Sequence, residues 1–169
     1  MVAYCLFCNT VKCDGIAKTL RSRYLVTALT PKIVQRKWVR GECFDVTHDY
    51  LPGYVFVYAD EPIDGIVQLA RGEDYVLRLL GEKDELFQLR GADYAFAEML
   101  YRCGGVINTI RVYREGDRVK LAKGEWGNVE GEIIKTDRRG RALVRYTFDK
   151  TTYNVWVGYE IIEGSGEAV

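Results

Sequence analysis

The side chains of this sequence best suited to chemistry are its cysteines and its one histidine. Cys5-Leu-Phe-Cys8 has C-x-x-C spacing, and Cys13, Cys43 and His48 lie within reach along the chain. A zinc centre needs four such donors at the corners of a tetrahedron. Val2–Phe7 is a short apolar run that reads as a buried strand. On a strand, residues three apart point to opposite faces, which spoils chelation by Cys5 and Cys8. There is no second C-x-x-C, and five cysteines at irregular spacing argue against a disulfide framework. No Gly-x-Ser-x-Gly, phosphate loop or dinucleotide fingerprint occurs. Nothing sets a nucleophile beside a base. The expectation is a protein that is not an enzyme and carries neither metal nor cofactor.

Binding chemistry is better represented. The 169 residues have a formal net charge of zero, but the charge is unevenly spread. Residues 12–40 carry eight cations (Lys12, Lys18, Arg21, Arg23, Lys32, Arg36, Lys37, Arg40) against Asp14 alone. Residues 41–70 carry six acids and no Lys or Arg, and residues 135–145 carry five cations against Asp137. A phosphate backbone responds to such local fields, which the net charge conceals. A solvated helix face and a solvated loop would give the same runs. Twelve tyrosines and six phenylalanines supply core, contact surface, or both. Met1–Phe7 lacks a charged leader region, and no apolar run is long enough to span a bilayer. A cytoplasmic protein without membrane contact is expected.

The elements that must position these groups can be read from periodicity. Ile16, Leu20 and Tyr24 recur every four residues after Asp14-Gly15 and define the apolar face of a helix whose outer face is basic. Lys32–Val39 reads as a strand and Arg40–Asp49 as a polar hairpin or loop. In Leu51-Pro-Gly-Tyr-Val-Phe-Val-Tyr58, a turn signal precedes a β-rich run. Tyr54, Phe56 and Tyr58 share one face and Val55 and Val57 the other, so both faces should be covered. Ile63–Ala70 reads as a short helix, Val76–Leu80 as a strand, and Ala92 to Cys103 as a helix closed by Gly104-Gly105. Short strands then alternate with glycines: Arg118–Leu121, Val129–Thr136, Ala142–Phe148 and Asn154–Val157, the pattern of a small barrel. The fold class is therefore α+β, with an antiparallel sheet and helices over 1–105, a linker at 106–113, a barrel over 114–163 and a polar tail at 164–169.

Gly116-Asp-Arg-Val119-Lys-Leu121-Ala-Lys-Gly124, followed by Val129-Glu-Gly131-Glu-Ile133, resembles the KOW motif, which is also found in ribosomal proteins. The first half resembles the N-terminal domain of the NusG family of transcription elongation factors. The matching pieces are Tyr4, Leu6 and Phe7, the Ile16–Leu20 helix, Leu51-Pro52-Gly53-Tyr54-Val55-Phe56-Val57, and the Val76–Gly81 segment with the helix after it. The likeness spans residues 2–163 and implies a NusG N-terminal domain followed by an SH3-like KOW barrel.

The resemblance implies docking to the clamp helices of the RNA polymerase β′ subunit through Phe7, Leu51, Pro52, Tyr54 and Phe56, with Phe96, Met99 and Leu100 joining from the last helix. That would be a helical hairpin received in an aromatic groove. For Tyr54 and Phe56 the interface is the preferred reading; for Val55, Val57 and Leu100 it is the core. Lys135-Thr-Asp137-Arg-Arg-Gly-Arg141-Ala142 and Val157-Gly-Tyr-Glu160-Ile-Ile162 look closest to the LoaP paralogues, antiterminators of long operons that recognise a leader RNA hairpin. This implies RNA contact by Lys135, Arg138, Arg139, Arg141 and Arg145, with Lys123, Trp126 and Asn128 on the neighbouring loop; Trp126 reads equally as a packed hairpin residue. Lys12, Lys18 and Arg21 form the second basic cluster, and Arg71 matches a position that faces non-template DNA in the RfaH paralogue. That paralogue's His-Thr-Thr contact is replaced here by Ile63-Asp64-Gly65. A general elongation factor bridging polymerase to the ribosome or to Rho, or a ribosome-associated KOW protein, stand as alternatives. The barrel is expected to stay β and the protein to be a monomer.

Overall fold

Three sheets and three α-helices are present in the computed structural model, which describes residues 1–116, 118–122, 126, 129 and 131–162. Strand β1 (Val2–Cys8) leads through a 3-10 turn into helix α1 (Cys13–Tyr24). Strands β2 (Thr27–Leu29), β3 (Lys32–Val39), β4 (Glu42–Asp49) and β5 (Tyr54–Ala59) follow, then helix α2 (Ile66–Gly72), β6 (Val76–Leu79) and helix α3 (Gly91–Arg102). The rest is β7 (Val106–Ile107), β8 (Ile110–Glu115), β9 (Arg118–Leu121), β10 (Glu132–Thr136), β11 (Arg141–Phe148) and β12 (Thr151–Ile161).

The N-terminal part is a mixed α/β domain. Its main sheet has the order β2-β5-β1-β6, antiparallel throughout. A second sheet runs β4-β3-β7. Strand β5 lies at the centre, and the alternation along it divides the core in two. Val55 and Val57 enter a cluster with Ile16, Leu20 and Leu69 from α1 and α2. Phe56 and Tyr58 enter a separate cluster with Phe96 and Leu100 of α3. The C-terminal part is a five-stranded β-barrel of order β10-β11-β12-β8-β9, nearly closed where β9 approaches β10.

Several elements differ from the sequence reading. Helix α1 begins at Cys13, one residue early, and Tyr24 does not join its buried stripe but stands 40% exposed. For Arg40–Asp49, read as a hairpin or a loop, the hairpin holds: Arg40 and Gly41, at φ 53° and 84°, make a two-residue turn that zips β4 onto β3 from Val39↔Glu42 to Lys32↔Asp49. Strand β2 is too short to leave a periodic signal. Helix α2 starts at Ile66 instead of Ile63, behind Gly65 at φ 76°. The segment expected as a linker at 106–113 is largely ordered into β7, paired in parallel with β3, and β8, paired with β9 and β12. Strand β12 is far longer than Asn154–Val157 because it serves two partners in turn, β11 along Thr151–Gly158 and β8 along Tyr159–Ile161.

The turn before β5 explains its glycine. Gly53 has φ 100°, and a Cβ built there would lie 2.9 Å from the Phe7 ring. Its carbonyl accepts the Cys8 N–H at 2.7 Å, so the backbone cannot move aside without breaking the end of β1. Gly53→Ala is expected to cost about 1–3 kcal/mol, read as a lower urea midpoint at unchanged m-value.

Candidate functional site

The face of β5 that carries Tyr54 and Phe56 is covered by the barrel. Strand β11 runs beyond the barrel body and ends in a two-residue turn, Asp149-Lys150, with φ 46° and 60°. The hairpin this turn closes places Tyr146 and Phe148 against the N-terminal domain. Phe148 meets Phe56 at 5.3 Å, Phe96 at 5.1 Å and Tyr54 at 5.5 Å between ring centroids, the last edge-on. Phe96 and Tyr146 stack at 5.1 Å with their planes 4° apart. Phe7 closes the row edge-on to Tyr54 at 5.2 Å. Offset and edge-on pairs of this kind add to the stabilisation from burial alone.

Polar groups rim the seam. Arg78 on β6 pairs with the Asp149 carboxylate at 2.9 Å and lies over the Phe7 ring. The Asp149 N–H donates to the Asp93 carboxylate of α3 at 2.9 Å. The Tyr50 and Tyr146 hydroxyls share a hydrogen bond. Burial pushes the Tyr50 phenol up to about 12, against the lowering effect of its bond to Tyr146. Burial also raises Tyr146, and it raises the Asp93 carboxyl despite the N–H it receives.

The seam brings together most of the residues expected to bind polymerase. Phe56, Phe96, Met99 and Leu51 are buried, Tyr54 and Phe7 are half-buried, and Pro52 is exposed beside them. This aromatic face is therefore covered from within the chain. Two residues that close it, Tyr146 and Phe148, read from sequence only as barrel strand; nothing in a strand's own alternation reveals that it overshoots its barrel.

The expected nucleic-acid residues do not form one surface. Lys12, Lys18 and Arg71 are exposed on the N-terminal domain. Lys12 lies over the Tyr75 ring, and Arg21 donates to the Ala28 carbonyl at 2.6 Å. Lys123 and Asn128 lie outside the described residues. Of the two readings of Trp126 the packed one holds, and the nucleic-acid contact is corrected: the residue is 4% exposed and packs edge-on against Tyr146, so it has no face to offer a base. Arg145 is exposed and reaches Glu132 at 3.6 Å. Around Trp156 the basic loop is ordered. Lys135 and Arg141 lie over its ring at 5.6 and 5.2 Å, and Arg141 also makes a two-point pair with Asp137 at 2.7 and 2.8 Å.

Arg138, Arg139 and Arg141 line a cleft of about 700 Å³ whose other wall is the β3–β4 hairpin, with Arg36, Lys37 and Trp38. The sequence reading missed this hairpin as a site. Its signal is a tryptophan set among cations, Arg36-Lys37-Trp38-Val39-Arg40. Cys8 and Cys13 share one core cluster and Cys5 lies in the other, Cys43 is exposed on β4, and His48 sits opposite Ile33. No family model matches this chain, and no curated protein matches it either.

The shifted phenols set a pH dependence. A phenol held above its ordinary value of 10 keeps its proton longer in the folded protein than in the unfolded chain. Stability from that group is full below pH 10 and falls as pH rises through the folded value. Urea unfolding is expected to show stability declining between pH 10 and about 12, with a shallower decline in the Tyr50→Phe/Tyr146→Phe double variant.

Proposed function

We propose that this chain is a NusG-type transcription elongation and antitermination factor, a non-catalytic adaptor that docks RNA polymerase through the aromatic face of its N-terminal domain. One observation carries the reading. The Tyr54–Phe56–Phe96 face is completed by a hairpin from a second domain and not by its own, so it already behaves as a groove that receives an inserted element. The apolar clamp helices of the polymerase β′ subunit are the expected external occupant, in the helix-in-groove mode. The mixed α/β domain followed by a β-barrel supports the finer assignment to a NusG N-terminal domain and an SH3-like KOW barrel. The LoaP-like basic loop supports recruitment by leader RNA.

In this arrangement polymerase and barrel compete for one face, so docking requires the hairpin tip to withdraw. Capture on immobilised RNA polymerase tests this. Phe148→Ser, which weakens the seam from the barrel side, is expected to raise capture several-fold. Tyr54→Ala with Phe7→Ala, which damages the docking face itself, is expected to lower the affinity of the opened protein by about tenfold or more, as loss of central aromatic anchors does. Equal capture of all three proteins would sink the docking model.

A further inference from the structure

We propose that the cleft between the β3–β4 hairpin and the β10–β11 turn binds a single strand of RNA, with Trp38 stacking on an unpaired base and the arginines of the opposite wall holding its phosphates. The idea deepens the nucleic-acid part of the reading above, adds a second wall from the N-terminal domain, and is independent of polymerase docking.

The charge of the cleft is one-signed. Five of its lining side chains are cations: Arg36, Lys37, Arg138, Arg139 and Arg141. Arg36 is answered by Asp45 at 3.3 Å and Arg141 by Asp137. Among the described residues no carboxylate lies within 4 Å of Lys37, Arg138 or Arg139. Cations gathered around one cleft without a carboxylate partner among the described residues repel, and a polyanion between them relieves that repulsion.

The aromatic content argues for a base beside the phosphates. Trp38 is 60% exposed, and Phe44 and Val39 of the same hairpin are 48% and 54% exposed. More than half of the Trp38 surface is left to solvent, in contrast to Trp126. An exposed indole among cations can take the face of any base, and that mode requires a base free of its stack. A duplex offers no such face without melting, which costs a few kcal/mol in itself. RNA supplies unpaired bases in loops and tails, and for that reason it is the occupant we assign. Arg138 and Arg139 lie in a tight turn held by Asp137, whose carboxylate accepts the Arg139 and Arg141 N–H groups at 2.9 and 3.0 Å. The turn is thus fixed before any ligand arrives.

Fluorescence anisotropy of a labelled oligouridine strand on the full chain tests the assignment, with oligodeoxyuridine and oligoglutamate as rivals. Trp38→Ala is expected to weaken oligouridine binding at least fivefold, and Trp38→Phe to restore most of it. Arg138→Ala/Arg139→Ala is expected to weaken binding and to reduce the slope of log K against log salt by about 0.7 for each phosphate no longer neutralised. All the substituted side chains are exposed, so circular dichroism should be unchanged. Wild-type affinity in Trp38→Ala, absence of oligouridine binding, or equal binding of oligodeoxyuridine or oligoglutamate would each overturn the inference. None of these results bears on capture by polymerase, and failure of capture with these RNA results intact would reject only the docking model.

Discussion

The packing of Tyr146 and Phe148 against Phe56 and Phe96 is the interaction on which the rest of the molecule depends. It joins the core of the α/β domain to the core of the barrel in one continuous apolar cluster. The barrel is small, its β9 and β10 edges meet imperfectly, and a unit of that size has little stability to spare. Stacking its longest hairpin on α3 and β5 gives it apolar area that it could not bury alone. On the second face of β5 the same packing adds to the cover that Phe96 and Leu100 of α3 already give.

The arrangement also explains why polar groups gather where they do. Asp149 lies at the tip of the hairpin, in a left-handed turn that aspartate tolerates better than most residues. There its backbone meets Asp93 and its carboxylate meets Arg78 and Tyr54. None of these bonds is a strong anchor by itself, since the Arg78–Asp149 pair is partly solvated. Their role is register: they fix which ring of the barrel meets which ring of the domain.

Much of this was legible in the sequence, and what was not had physical causes. The alternation of Tyr54, Phe56 and Tyr58 against Val55 and Val57 correctly announced a strand covered on both faces, because period-2 patterning reports burial directly. The identity of the cover was invisible, since it comes from a strand far along the chain. For Trp126 the residues left two readings open, nucleic-acid contact and a packed hairpin residue. A tryptophan between glycines can serve as a stacking platform, yet the space left by Gly131, whose Cβ would sit 3.3 Å from the indole, lets it sink inward. Trp38, set among Arg36, Lys37 and Arg40, stands outward. Composition could not separate the two; the difference lies in whether a small residue across the sheet leaves room. Long pairing also escaped the periodicity: β12 changes partner at Gly158, where the side-chain alternation lapses.

The passage between the two domains has a consequence for any rival that would occupy the seam. Only Asn108 and Thr109 separate β7 from β8, a span of about 7 Å at full extension. Tethered so closely, the hairpin tip meets its groove at an effective concentration on the order of millimolar. A free macromolecule at cellular abundance contends with that local excess before it gains anything from its own binding. The barrel cannot drift away to yield the place, either; it can only swing about a two-residue pivot, or draw β7 off β3 as it goes. The short connector thus turns a modest aromatic seam into a stringent threshold for admission.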